Sequence, residues 1–107
     1  MFRKSDDGGF KEVLDKIRQK TLVYGDKTLL AEFRLEKGAV LPRHSHPHEQ
    51  TGYLVSGRLD LTIGTETHRV EPGGSWCIPG NVEHCAVAGE NSVAIEVFSP
   101  VREDYIP

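Results

Sequence analysis

The stretch Leu59-Asp60-Leu61-Thr62-Ile63-Gly64-Thr65-Glu66-Thr67-His68-Arg69-Val70 decides the fold class. Leu59, Leu61 and Ile63 alternate with Asp60 and Thr62, the period of a strand with one apolar face. Gly64-Thr65-Glu66 supplies a turn, and Thr67 to Val70 runs back. The same unit repeats outward in both directions. Upstream, Tyr53-Leu54-Val55 ends at Ser56-Gly57; Ala31, Phe33 and Leu35 alternate with polar neighbours up to Lys37-Gly38; Val23-Tyr24 runs into Gly25-Asp26. Downstream, Glu71-Pro72-Gly73-Gly74 precedes Ser75 to Ile78, Pro79-Gly80-Asn81 turns into His84 to Ala88, and Ser92 to Phe98 is closed by Ser99-Pro100. About eight short strands at intervals of roughly eight to twelve residues, with almost no helix, predict an all-β sandwich or barrel.

The first twenty residues are less defined. Charge and two glycines leave Met1 to Gly9 no apolar surface to bury. Phe10, Val13, Leu14 and Ile17 recur at helical spacing for barely two turns, while Ile17 to Tyr24 reads equally well as a first strand. The expected organisation is an N-terminal segment over 1–20, extended or a short helix, followed by one β domain with a C-terminal tail over 21–107.

With 107 residues the chain fits a single domain. Its 13 basic and 16 acidic residues leave a formal charge of −3, which argues against a nucleic-acid footprint. No apolar run approaches the roughly 20 residues of a membrane helix, and no secretory leader pattern opens the chain. Two cysteines, Cys77 and Cys85, are too few for a disulfide scaffold and are expected as small, free side chains, buried or half-buried. A soluble cytoplasmic domain is the expectation, with partners that are neither nucleic acid nor membrane.

Three of the five histidines fall in His44-Ser45-His46-Pro47-His48, with Gln50 just beyond. On an extended strand His44 and His46 share one side, and two neutral imidazoles on one face chelate a divalent transition metal. His84, in a later strand, is placed to supply a third ligand. Gln50 could add an amide oxygen, and His48 competes with it for the fourth position because Pro47 interrupts strict alternation.

These residues resemble the cupin family. Its first motif runs glycine, five residues, His-x-His, three or four residues, a carboxylate, six residues, glycine. Gly38, His44, His46, Gln50 and Gly57 stand at those positions, with Gln50 in place of the usual glutamate. In the second motif Gly73, Pro79 and His84 match, while Asn81 replaces a glycine and Ala88 an asparagine. The resemblance, over about Leu22 to Phe98, implies a single jelly-roll β-barrel of short antiparallel strands. It implies one divalent transition metal (nickel, zinc, iron or manganese) on His44, His46, Gln50 and His84, and a homodimer. Three imidazoles and an amide are neutral, so the ion would keep its full charge and favour an anionic ligand and Lewis-acid chemistry.

Val93 to Phe98 is apolar on both faces, and Glu96 within it needs a partner, a metal or a proton. An ion pair with Arg102 or Arg43 is the plain structural expectation. The segment Glu96 to Tyr105, with the histidine motif, resembles the small cupins of pectin and alginate degradation that act on 4,5-unsaturated monouronates. That likeness implies ring opening and ketonisation of a small anionic substrate. It gives Glu96 the general acid/base role, Arg102 the uronate carboxylate, and Phe98 the pocket wall. The subgroup acid is aspartate, so Glu96 is one methylene longer. Another metal-cupin chemistry (dioxygenase or decarboxylase) and a non-catalytic small-molecule-binding cupin are the alternatives. Trp76 and Tyr53 are expected as core or dimer-interface aromatics, His68 as surface, and the charges of Asp6-Asp7 and Lys16 to Lys20 as solvated.

Overall fold

A computed structural model describes residues 1–107. Ten strands follow in order: β1 (Lys11–Leu14), β2 (Ile17–Tyr24), β3 (Leu29–Leu35), β4 (Val40–His44), β5 (Glu49–Ser56), β6 (Leu59–Ile63), β7 (Glu66–Val70), β8 (Ser75–Ile78), β9 (His84–Ala88) and β10 (Ser92–Ser99). A short 3-10 turn, Glu103–Tyr105, ends the chain. The strands form a six-stranded sheet ordered β1-β2-β3-β10-β5-β8 and a four-stranded sheet ordered β4-β9-β6-β7. Every pairing is antiparallel. The fold is an all-β jelly roll, and no helix is long and apolar enough to cross a membrane.

Alternation sends one side chain in two into the space between the sheets. Ile17, Leu35, Leu54 and Ala94 meet Leu59, Leu61, Val70, Ala86 and Ala88 from the opposite sheet, closing one end of the interior with apolar packing. A second cluster of Leu29, Ala31 and Phe98 is flanked by Phe33, Val101 and Tyr105. Phe98 is buried to within 1%, worth about 1.5–3 kcal/mol of transfer free energy. Between these apolar clusters the inward residues turn polar: His84 on β9, Gln50 on β5 and Glu96 on β10 are all buried.

Two backbone positions hold the turns that aim these strands. Gly57 has φ 93, and a Cβ there would lie 2.2 Å from Ser92 Oγ. Asn81, standing where the second motif has glycine, has φ 66; asparagine is among the few side chains that tolerate this region.

Several expectations change. The first strand is preceded by another: Lys11–Leu14 pairs with β2 through a turn at Lys16, whose φ is 64. Of the two readings left open there, the chain takes the extended one, because the apolar residues sit on a hairpin and not on a helix face. β4 also forms a strand of its own, raising the count to ten. Only the inner face of β10 is fully buried; Val93, Ile95 and Val97 are half-buried on the outer face. Lys20 is not solvated. It is 4% exposed, its Nζ donates to the Asp6 carbonyl at 2.8 Å, and Phe10 lies 5.2 Å beneath it. The N-terminal segment covers it, which the charge pattern alone did not foretell. Trp76 packs half-buried against the core, Tyr53 is half exposed, and His68 lies at the surface beside Glu66. Cys77 and Cys85 are free, but Cys77 is exposed because its outward position on edge strand β8 has nothing packed over it.

Candidate metal centre

His44 closes β4 and pairs across the sheet with His84, which opens β9. Their ring centroids are 4.1 Å apart. His46 is not on the same strand face as His44: β4 ends at His44, and His46 lies in the connection to β5. Asn81 in the β8–β9 turn donates its N–H to the His46 carbonyl at 2.7 Å. Gly80 beside it lets that turn approach Pro47, where a Cβ would sit 2.5 Å from the Pro47 carbonyl oxygen. The loop thus swings the second imidazole to 5.0 Å from the His84 ring. Ligating nitrogens of His44, His46 and His84 lie within 4.8 Å of one another.

Each imidazole has its Nδ1 against a backbone carbonyl: His44 on Pro42 at 2.8 Å, His46 on His48 at 3.0 Å, His84 on Val82 at 2.9 Å. Assigned from these contacts, each Nδ1 carries the proton and each Nε2 presents a lone pair, the orientation a metal-binding histidine needs. Burial lowers the pKa of both His46 and His84, favouring the neutral rings. The His84 Nε2 is buried with no hydrogen-bond partner. The His46 Nε2 lies 2.9 Å from Gln50 Oε1, which sets two acceptors face to face. A cation accepting both lone pairs removes that conflict, so the residues present fit a divalent ion. His48 lies outside this group of three; Gln50 is the neighbour whose oxygen reaches it.

Gln50 Nε2 donates to Glu96 Oε1. Trp76 Nε1 donates to the same oxygen at 3.0 Å. Neither of the expected ion pairs to Glu96 forms. Arg43 lies 3.5 Å from Glu83 and donates to the Gly64 carbonyl, while Arg102 is taken by Asp104. The interior offers Glu96 two neutral donors, and burial raises its pKa against their opposing pull. The row across the sheet explains the reach of the indole. Glu96 pairs with Gly52, and Gly52 with Trp76, so the ring crosses the strand where a Cβ would stand 2.2 Å from it.

Arg102 donates through Nε and Nη2 to the two Asp104 oxygens at 3.2 and 2.8 Å. Its guanidinium carbon stands 4.0 Å above the Tyr105 ring and 5.1 Å from that of Phe98. The Asp104 carboxyl is lowered, chiefly by the bonds from Arg102. Tyr105 is anchored by its carbonyl, which accepts from Thr21 Oγ1 at 2.5 Å.

His44, Gln50, His84, Glu96, Phe98 and Arg102 therefore line one cavity, and His46 stands beside it against Gln50 and Phe98. All seven singled-out residues are brought together. Trp76, Tyr105 and Asp104 were not foreseen here. The alternation of β8 with β5 could have found Trp76, and the Arg-x-Asp spacing could have found Asp104.

The cupin domain family matches residues 31–99. The pectin degradation protein KdgF of Dickeya dadantii is 29% identical over 94% of this chain and 94% of its own length. The structure of KdgF from a Halomonas species superposes with a TM-score of 0.93 at 30% identity, covering 99% of this chain and 98% of that one. An RmlC-like cupin from Shewanella frigidimarina gives a TM-score of 0.93 at 25% identity, covering 98% and 95%.

Proposed function

The chain belongs to the cupin domain family, and on that premise we propose that it promotes the opening and ketonisation of 4,5-unsaturated monouronates. One observation carries the reading: a cluster of three imidazoles, a buried carboxyl and an arginine meet at one cavity. The likeness to KdgF along nearly the whole chain supports a sugar-acid substrate.

A divalent transition ion, held by His44, His46 and His84 with Gln50 Oε1 as fourth donor, would supply Lewis-acid stabilisation of negative charge developing on substrate oxygen. The remaining chemistry falls to the chain's own side chains. Ring opening leaves an enol, and its conversion to a ketone moves one proton from the enol oxygen to the adjacent carbon. Glu96 carries that proton. Its Oε1 is occupied by Gln50 and Trp76, so Oε2 is the oxygen that takes and returns it. Burial raises its pKa above that of a surface carboxyl, so the ionised form is a stronger base towards the enol proton and the protonated form can hand that proton on to carbon. Arg102 binds the uronate carboxylate, whose two oxygens match a guanidinium fork. Phe98 closes the pocket wall and excludes water.

The test follows the loss of the conjugated ultraviolet absorbance of a 4,5-unsaturated monouronate. Accelerated loss that disappears on metal stripping and returns with metal supports the reading. Absence of acceleration by metal-loaded protein overturns it in favour of another cupin chemistry or a binding role.

A further inference from the structure

We propose that Asp104 is the positioning residue that sets the affinity of Arg102 for the substrate carboxylate, an inference that rests on the function proposed above. Arginine has two edges that can grip a carboxylate, one made of Nε and Nη2, the other of the two terminal nitrogens. Asp104 occupies the first edge with two hydrogen bonds, 3.2 and 2.8 Å long. Nη1 is left without a partner, and Nη2 retains a second hydrogen, so the other edge is the one still open. Arg102 itself lines the cavity with Glu96, Gln50 and His84.

Three contacts fix the guanidinium in that attitude. Asp104 fixes its roll, the Tyr105 ring 4.0 Å away supports its face, and the Phe98 ring lies 5.1 Å from it. The Arg102 side chain is 15% exposed whereas Asp104 is 58% exposed. The aspartate therefore braces the arginine from the solvent side while the arginine faces inward. An arginine held this way loses little side-chain freedom on binding an anion, and its donors are already arranged. Asp104 and Arg102 lie two residues apart at the edge of the 3-10 turn Glu103–Tyr105, and the turn is tied to β2 through Thr21. The brace is thus attached to the body of the fold.

The alternative role for Asp104 is that of a competitor that substrate must displace. The two roles predict opposite signs. The experiment measures binding of D-galacturonate and of its methyl ester to metal-loaded protein by calorimetry, for the parent, Asp104→Ala, the isosteric Asp104→Asn, and Arg102→Ala. A bracing role predicts that both Asp104 variants lose about tenfold in galacturonate affinity and less than about twofold for the ester. In turnover of the unsaturated uronate, KM rises by a similar factor and kcat stays close to the parent value. Unchanged or tighter galacturonate binding in both Asp104 variants overturns the proposal, and so does an equal loss for acid and ester. If Arg102→Ala binds galacturonate as well as the parent, the carboxylate role of Arg102 fails and removes the inference with it. Weaker binding in Arg102→Ala alone, with both Asp104 variants like the parent, overturns only the brace.

Discussion

The Gln50 amide joins two groups of opposite character: its nitrogen donates to Glu96 Oε1 while its oxygen faces His46 Nε2 at 2.9 Å. One planar group thereby links the imidazole cluster to the buried carboxyl, and its orientation is fixed because only the nitrogen end can serve Glu96. A glutamate, the usual family residue here, could not do this without a proton, since it would set two carboxylates against each other.

The first prediction follows from that link. Gln50→Glu should be less stable than the parent in the metal-free state by about 1–3 kcal/mol at neutral pH, because a donor to Glu96 is replaced by a like charge. Urea unfolding of stripped protein measures this. Added metal should close much of the gap, since a cation neutralises the new carboxylate. Equal stability of the two stripped proteins would show that the Gln50–Glu96 contact carries no weight.

Much of this arrangement was legible in the residues. Alternation located most strands, and two spaced motifs located His44, His46, Gln50 and His84 without reference to geometry. Alternation could not show that His46 leaves the strand, because Pro47 makes the loop locally and the β8–β9 turn holds it from far along the chain. Nor could it assign partners to Glu96. Charge suggests an arginine, but the register across β10, β5 and β8 delivers Gln50 and Trp76 instead. Lys20 fails for the same reason: its burial depends on where Asp6 and Phe10 come to rest.

Metal binding should be visible as stability. A ligand at 100 times its dissociation constant adds about 2.7 kcal/mol, so the melting temperature should fall on stripping and recover with a divalent transition ion. His84→Ala should abolish that recovery. The pH dependence has a definite sign. Binding needs neutral imidazoles, and burial already holds His46 and His84 below the ordinary value of 6.5. Protonation of His46 and His84 should therefore weaken binding only below that value. A stripped protein whose melting temperature ignores added nickel, zinc, iron and manganese would sink the metal site.

Glu96→Gln separates chemistry from stability. The amide keeps an oxygen for Gln50 and Trp76 but has no proton to shuttle, so metal should be retained while turnover falls at least about tenfold. Stripped protein gives an independent reading. The unfolded carboxyl titrates near 4.5, and the folded one above that. The unfolded state therefore releases its proton first, so the stability contributed by the neutral carboxyl is complete below 4.5 and is lost as pH rises through the folded pKa. The parent should lose melting temperature relative to Glu96→Gln over that interval. Parallel curves for the two proteins would mean that the carboxyl does not hold its proton in the folded state.

Gly52 should be intolerant of a side chain for a reason specific to the carboxyl beside it. A Cβ at this position would stand 2.2 to 2.4 Å from three atoms of the Trp76 indole, so Gly52→Ala must displace the ring that donates to Glu96 at 3.0 Å. Trp76→Phe removes the donor while keeping an aromatic ring. Both variants leave Glu96 with one donor fewer, which raises its pKa further, since that hydrogen bond favours the charged form. The pH at which turnover reaches half its maximum on the acid side should then shift upward in both. The two differ in packing: Gly52→Ala should also destabilise by about 1–3 kcal/mol through overpacking, and Trp76→Phe by less. An unshifted pH profile in Trp76→Phe, with turnover intact, would reduce the indole to a packing element and leave Gln50 as the sole group orienting Glu96.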